Sequence, residues 1–150
     1  MRYSTLHIMR YDQDSTFTRA MLGGLFIGII DTLICLAFNI GYRDATGYAP
    51  SAFINVSSLI FAVNLLLLLI GMVYFLFIKI FGEKSAAFTI FAIVITLLGG
   101  WQIELSHRFA DVTLNAQFRG LLLGIVLILG ISTSTLPFLF RSKFFHEHVV

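Results

Sequence analysis

Four apolar runs take up most of this 150-residue chain, at about residues 20–42, 52–81, 86–103 and 120–140. Each reaches or passes the ~18–20 apolar residues that a helix needs to cross a hydrocarbon core. The polar segments are short, the longest being residues 1–19 and 102–119. Hydrophobic residues make up 58% of the chain and charged residues 12%, where a water-soluble domain carries nearer ~25% charged. One small aqueous core could not bury that much apolar surface. The expected fold is all-α: four spanning helices in an up-down bundle, a single membrane domain over residues 1–150 set in the lipid bilayer.

The basic residues orient that bundle. Arg2, Arg10, Arg19, Lys79, Lys84, Arg141 and Lys143 fall on one side, and Arg43, Arg108 and Arg119 on the other. Seven against three places the N- and C-termini in the cytoplasm. All ten sit outside the apolar interiors and form no basic stripe, so nucleic acid is not an expected partner. Residues 1–19 are polar and mixed in charge, and the run that follows is too long for a leader's apolar core of ~7–15 residues. It reads as a first span that stays. Size and simplicity point to a bacterial cytoplasmic (inner) membrane.

The turn 43–51 is rich in breakers, and Pro50 suits the start of the second helix, where its missing N–H costs nothing. That helix, about 30 residues or roughly 45 Å long, exceeds the ~30 Å hydrocarbon core and must tilt or project. Pro137 falls in the last turn of the fourth helix. An offset of about 64 residues superimposes Thr32-Leu33 on Thr96-Leu97 and Lys79-Ile80-Phe81 on Lys143-Phe144-Phe145. This is the pattern a duplicated two-helix hairpin would leave.

Residues that do not belong in lipid carry the remaining information. Asp31 lies near the middle of the first run. A central Asp costs ~2.5–3.5 kcal/mol of insertion, but the Leu, Ile and Phe residues around it return roughly 0.3–0.6 kcal/mol each. Eleven of them share the run, so the span survives, with Asp31 turned to the bundle interior and neutral or paired. Gly24, Gly28, Asp31, Cys35 and Asn39 step by three or four residues and form one stripe. Ser57, Asn64 and Gly71 recur every seven residues on the second helix, and Thr89, Ala92, Thr96 and Gly99 line the third. If the first turn is centred at residue 47–48, Asp31 is level with Asn64, and Asn39 with Ser57. The expectation is that the Asn64 amide reaches the Asp31 carboxyl.

Two GxxxG pairs, Gly24/Gly28 and Gly120/Gly124, allow close backbone approach. They serve packing within the chain or, alternatively, a homo-oligomer or membrane-partner interface. Near the first turn, Tyr42, Arg43, Asp44, Asn55 and Ser58 gather beside Asn39. They form either a shallow pocket for a polar solute or, as the heavier reading, helix caps around a hydrated turn.

Several chemistries are disfavoured. Cys35 is the only cysteine, so no intrachain disulfide or dithiol couple exists. The four histidines, His7, His107, His146 and His148, lie outside the runs, where they cannot clasp a haem between helices. His146-Glu147-His148 is a short tail pair and not a metal set. Neither a cofactor nor a metal is expected. Ser132, Thr133, Ser134 and Thr135 lack a histidine or second carboxylate at their depth and are expected to bond back to their own carbonyls. An enzyme is therefore not the preferred class. Two classes remain: an accessory or scaffold subunit that acts through helix packing, and a small proton- or cation-coupled transporter or channel using Asp31. The first is preferred, because one carboxylate with no cationic partner and no broken helix makes a poor transport path.

Overall fold

A computed structural model describes residues 2–49, 54–82, 86–107 and 109–141, with side chains described between residues 16 and 138. These residues form four helices: α1 (Arg2–Thr46), α2 (Val56–Phe81), α3 (Ala86–Glu104) and α4 (Val112–Arg141). No strand occurs among them. All four are long and apolar enough to cross a membrane, over Thr16–Thr46, Val56–Phe81, Ala86–Glu104 and Val112–Phe138. In hydrocarbon every backbone N–H and C=O must be paired inside the protein, and unbroken helices do this within each segment.

The helix limits differ from those expected: α1 already begins at Arg2 and not near residue 20, while capping chemistry explains the shifts at its C-terminal end and in α2 and α4. α1 runs on from Tyr42 to Thr46 and is stopped by Gly47. The Gly47 backbone, at φ 69°, takes the left-handed form that closes helix ends. α2 begins at Val56 and not at residue 52, because Asn55 caps it. The Asn55 side chain accepts from the Ser58 N–H at 2.8 Å, and Ser58 Oγ accepts from the Asn55 N–H at 3.0 Å. Pro50 lies outside the described residues. The helix is 26 residues long, roughly 39 Å at 1.5 Å each, and still longer than the hydrocarbon core.

Another correction concerns residues 102–119. Much of this stretch is helix and not loop, because Asp111 caps α4 eight residues before the expected start. Asp111 Oδ1 accepts from the Thr113 and Leu114 N–H groups at 2.7 and 3.3 Å. The buried Asn115 then pins the preceding loop, accepting from the Phe109 N–H and donating to the Ser106 carbonyl. Arg119 lies inside α4 and reaches back to Glu104.

The helices pack in the lateral order α2, α1, α4, α3. α1 lies against both α2 and α4, and α3 lies against α4. α2 and α3 touch sparingly, mainly next to their connection, where Phe88 meets Tyr74 and Phe77 edge-on at 4.8 and 5.6 Å. A duplicated hairpin would make α2 meet α3 as closely as α1 meets α4, and it does not. Residues 143–145, needed for the second half of the repeat, lie outside the described residues.

Large apolar side chains such as Leu33, Phe61, Ile90 and Leu97 face outward, as lipid contact requires. The inner faces use small residues to bring backbones close. A Cβ on Gly24 would stand 2.6 Å from the Leu67 carbonyl oxygen, and one on Gly71 would stand 2.7 Å from the Ala20 carbonyl oxygen. α1 and α2 therefore meet backbone to backbone. On α4, Gly120 and Gly124 are hollows for the Tyr42 and Phe38 rings of α1.

Candidate functional site in the membrane interior

The stripe on α1 is buried along its length: Gly24, Gly28, Asp31, Cys35 and Asn39 are all shielded, Asp31 at 1% exposure and Cys35 at 0%. Positions on and beside the stripe look two ways. Gly24, Gly28 and Thr32 face α2, whereas Asp31, Phe38 and Tyr42 face α4. One residue of α-helix turns the side chain by about 100°, so adjacent positions can serve different neighbours.

This turn corrects the expected Asp31–Asn64 contact. Asn64 Nδ2 donates to Thr32 Oγ1 at 2.8 Å and to its own helix at the Ile60 carbonyl, 2.9 Å. Thr32 Oγ1 in turn donates to the Gly28 carbonyl at 2.7 Å. Thr32 and Asn64 are symmetric about Tyr48, within the expected turn centre at residues 47–48. The azimuth was off by one residue.

Asp31 is instead met by α4. Ser132 Oγ donates to Asp31 Oδ1 at 2.6 Å. The other oxygen, Oδ2, is buried and has no hydrogen-bond partner among the described residues. Of the serine–threonine run on α4, Ser134 and Thr135 do bond back, to the Gly130 and Ser132 carbonyls. Ser132 departs from that expectation, because a charged or polar acceptor on the next helix is a stronger partner than its own backbone.

The pairing of Asn39 with Ser57 does not form. Ser57 is exposed, while Asn64 and Gly71 turn inward. A strict seven-residue repeat drifts ~20° per heptad on a straight helix, so Ser57 has rotated out of the seam. Asn39 Oδ1 lies 3.5 Å from Arg43 Nη1, a long contact, and Asn39 Nδ2 is buried without a hydrogen-bond partner among the described residues.

The outer cluster separates into two structural tasks. Asn55 and Ser58 form the α2 capping box described above. Tyr42 and Arg43 fasten the end of α1: Tyr42 Oη donates to the Gln117 carbonyl at 3.1 Å, and Arg43 Nε to the Tyr48 carbonyl at 3.3 Å. Gln117 answers with an Nε2 bond to the Thr46 carbonyl at 2.8 Å. Asp44 is exposed and stands apart from these bonds. The geometry is that of capped helix ends and a stapled turn.

The sequence reading missed three partners. Ser132 and Gln117 were invisible because they act across about a hundred and seventy-odd positions respectively. Thr32, next to the buried Asp31, lies on the inner half of the helix, where its hydroxyl meets Asn64 and the Gly28 carbonyl. Asp111 carried a weak signal, since an Asp favours a helix N-cap, but the polar stretch between it and the apolar run at residue 120 hid the helix start.

Chemically, the interior offers one carboxylate, hydroxyls and amides. No group of three His, Cys, Asp or Glu side chains suited to a metal ion occurs among the described residues. Comparison with protein-family models, with curated proteins and with solved structures finds no match to this chain.

Proposed function

We propose that this integral membrane protein is a non-enzymatic accessory or scaffold subunit that acts through helix packing. The observation behind this reading is how its intramembrane polar groups are used. Asn64 clamps α2 to α1 through Thr32, Ser132 clamps α4 to α1 through Asp31, and Thr96 and Ser134 bond to carbonyls of their own helices. Asn64 and Ser132 thus hold helices together, and Thr96 and Ser134 are satisfied within their own helices. The α2–α3 flank, by contrast, is left thinly packed and open to a neighbour in the bilayer. A second copy or another membrane protein would pack on the outward apolar faces, where Phe61 and Leu97 stand exposed. The excess of Lys and Arg on the terminal side supports cytoplasmic termini, and small size and simplicity are what favour a bacterial inner membrane.

A second reading, a proton- or cation-coupled carrier, has one observation in its favour: Asp31 Oδ2 is buried without a hydrogen-bond partner among the described residues. An ionisable group in that position is a functional candidate by default. Liposomes containing the purified chain separate the two. The accessory reading expects an imposed pH or potassium gradient to decay as slowly as in protein-free vesicles. A fast decay that disappears in Asp31→Asn would replace it with the carrier reading.

A further inference from the structure

Between α2 and α3 lies a cleft of about 300 Å³. Leu66 and Val73 of α2 stand on one side, Phe88 and Gly99 of α3 on the other, and Leu129 and Thr133 of α4 form the floor. The lining is apolar apart from two threonines, and Thr96 spends its hydroxyl on the Ala92 carbonyl at 2.8 Å. Such a cavity does not hold water, which needs two to four polar partners.

We propose that this cleft binds one acyl chain of a membrane phospholipid. Its size selects the occupant. The volume is about twice the ~150 Å³ that accepts a benzene molecule and reaches the lower end of the ~300–1,000 Å³ range of ligand sites. The cleft follows α3 from Phe88 to Gly99, a rise of roughly 16 Å. A partner helix ~10 Å across would fill more than ~1,200 Å³ over that length, four times the space present. A single extended hydrocarbon chain is both thin and long enough.

The architecture also sets the direction of entry. At the α2–α3 connection the cleft is stopped by rings: Phe88 packs edge-on against Tyr74 and Phe77, and Phe91 lies 5.1 Å from Phe77. The Gly99 end has no side chain to close it, and a Cβ there would meet only Val126 Cγ1. The chain therefore enters from the leaflet on the Glu104 side, with its headgroup left outside a site that has nothing charged to hold it. The groove on the opposite face of the α3–α4 pair, about 400 Å³, is walled by those two helices alone and lacks the third side that would retain a chain.

The test is native mass spectrometry of the full chain in detergent after exhaustive delipidation. The probes are dipalmitoyl-phosphatidylglycerol and its one-chain lysophospholipid. One lipid per chain is expected, with the two probes retained equally within about twofold because only one tail is held. Gly99→Leu and Val73→Phe, which fill opposite ends of the cleft, should each lower retention at least tenfold. The Gly99 site can take a side chain, as its Cβ would meet only Val126 Cγ1, at an ordinary 3.7 Å. Ile90→Phe, on the outward face, should leave retention unchanged. Helix content by circular dichroism checks each variant, and should both filled variants unfold, the comparison of probes on the native chain decides. No 1:1 adduct, a need for both tails, equal retention in filled and outward-face variants, or a second protein chain in place of lipid would each overturn the proposal.

Discussion

The Ser132 hydroxyl meets the Asp31 carboxylate at 2.6 Å, joining α4 to α1 in the interior of the bundle. One residue further along α1, Thr32 receives Asn64 from α2 at 2.8 Å. Two adjacent positions of α1 thus hold its two neighbours, and α1 is the helix around which the bundle is organised. Interhelical hydrogen bonds within bilayers average ~0.6 kcal/mol and reach ~1.7 kcal/mol, so these two contacts set register more than they supply bulk stability.

Double-mutant cycles of bundle unfolding should find those pairs. Asp31→Ala with Ser132→Ala, and Thr32→Val with Asn64→Leu, are each expected to show coupling of about 0.6–1.7 kcal/mol. Asp31→Ala with Asn64→Leu should couple by less than ~0.5 kcal/mol. A larger coupling for that last pair than for Thr32 and Asn64 would contradict the observed azimuth.

Glycines on α1 should differ sharply in tolerance. Gly24→Ala drives a Cβ to 2.6 Å from the Leu67 carbonyl oxygen, part of a backbone that cannot swing aside. A loss of about 1–3 kcal/mol is expected from overpacking, measured by thermal unfolding in detergent. Gly41→Ala meets nothing within 4 Å and should be neutral or stabilising by up to ~1 kcal/mol through helix propensity.

The α2 cap is a third point of attack. Asn55→Ala removes the acceptor for the Ser58 N–H and should cost about 1 kcal/mol. Asn55→Asp, which keeps an acceptor oxygen, should retain most of it. Equal loss in both variants would show that the side-chain oxygen is not what matters at this position.

Cys35 has 0% exposure and offers a label-based test of packing. A water-soluble maleimide should leave the folded protein unmodified and react once a denaturing detergent opens the bundle. Rapid labelling of the native protein would mean that the α1 stripe is reached by water.

Parts of this architecture were legible in the chain and parts were not. Asp31 announced itself as a buried group because a carboxylate among eleven Leu, Ile and Phe residues has no other tolerable place. The α1–α2 register followed from a short turn, which forces residues at equal distances from its centre to equal depth. The outer cluster does not stay together as one set: Asp44 stands apart from the bonds. Its division into a capping box, Asn55 with Ser58, and a staple, Tyr42 with Gln117, required coordinates. Ser57 failed because a seven-residue repeat is not commensurate with 3.6 residues per turn.

The amino-acid sequence by itself determined that the chain is apolar enough to enter a bilayer and that four helices are long enough to cross it. Those properties depend on transfer of each segment into hydrocarbon, a sum along the chain that needs no partner. Only the tertiary structure decided which way each seam faces: that Asp31 goes to Ser132, that Asn64 goes to Thr32, and that α3 leans on α4 and leaves a cleft beside α2. Lipid is as apolar as leucine, so no hydrophobic contrast tells a spanning helix which side is inside. That choice rests on shape, on glycines that admit a neighbour's backbone or ring, and on hydrogen bonds between residues far apart in the chain.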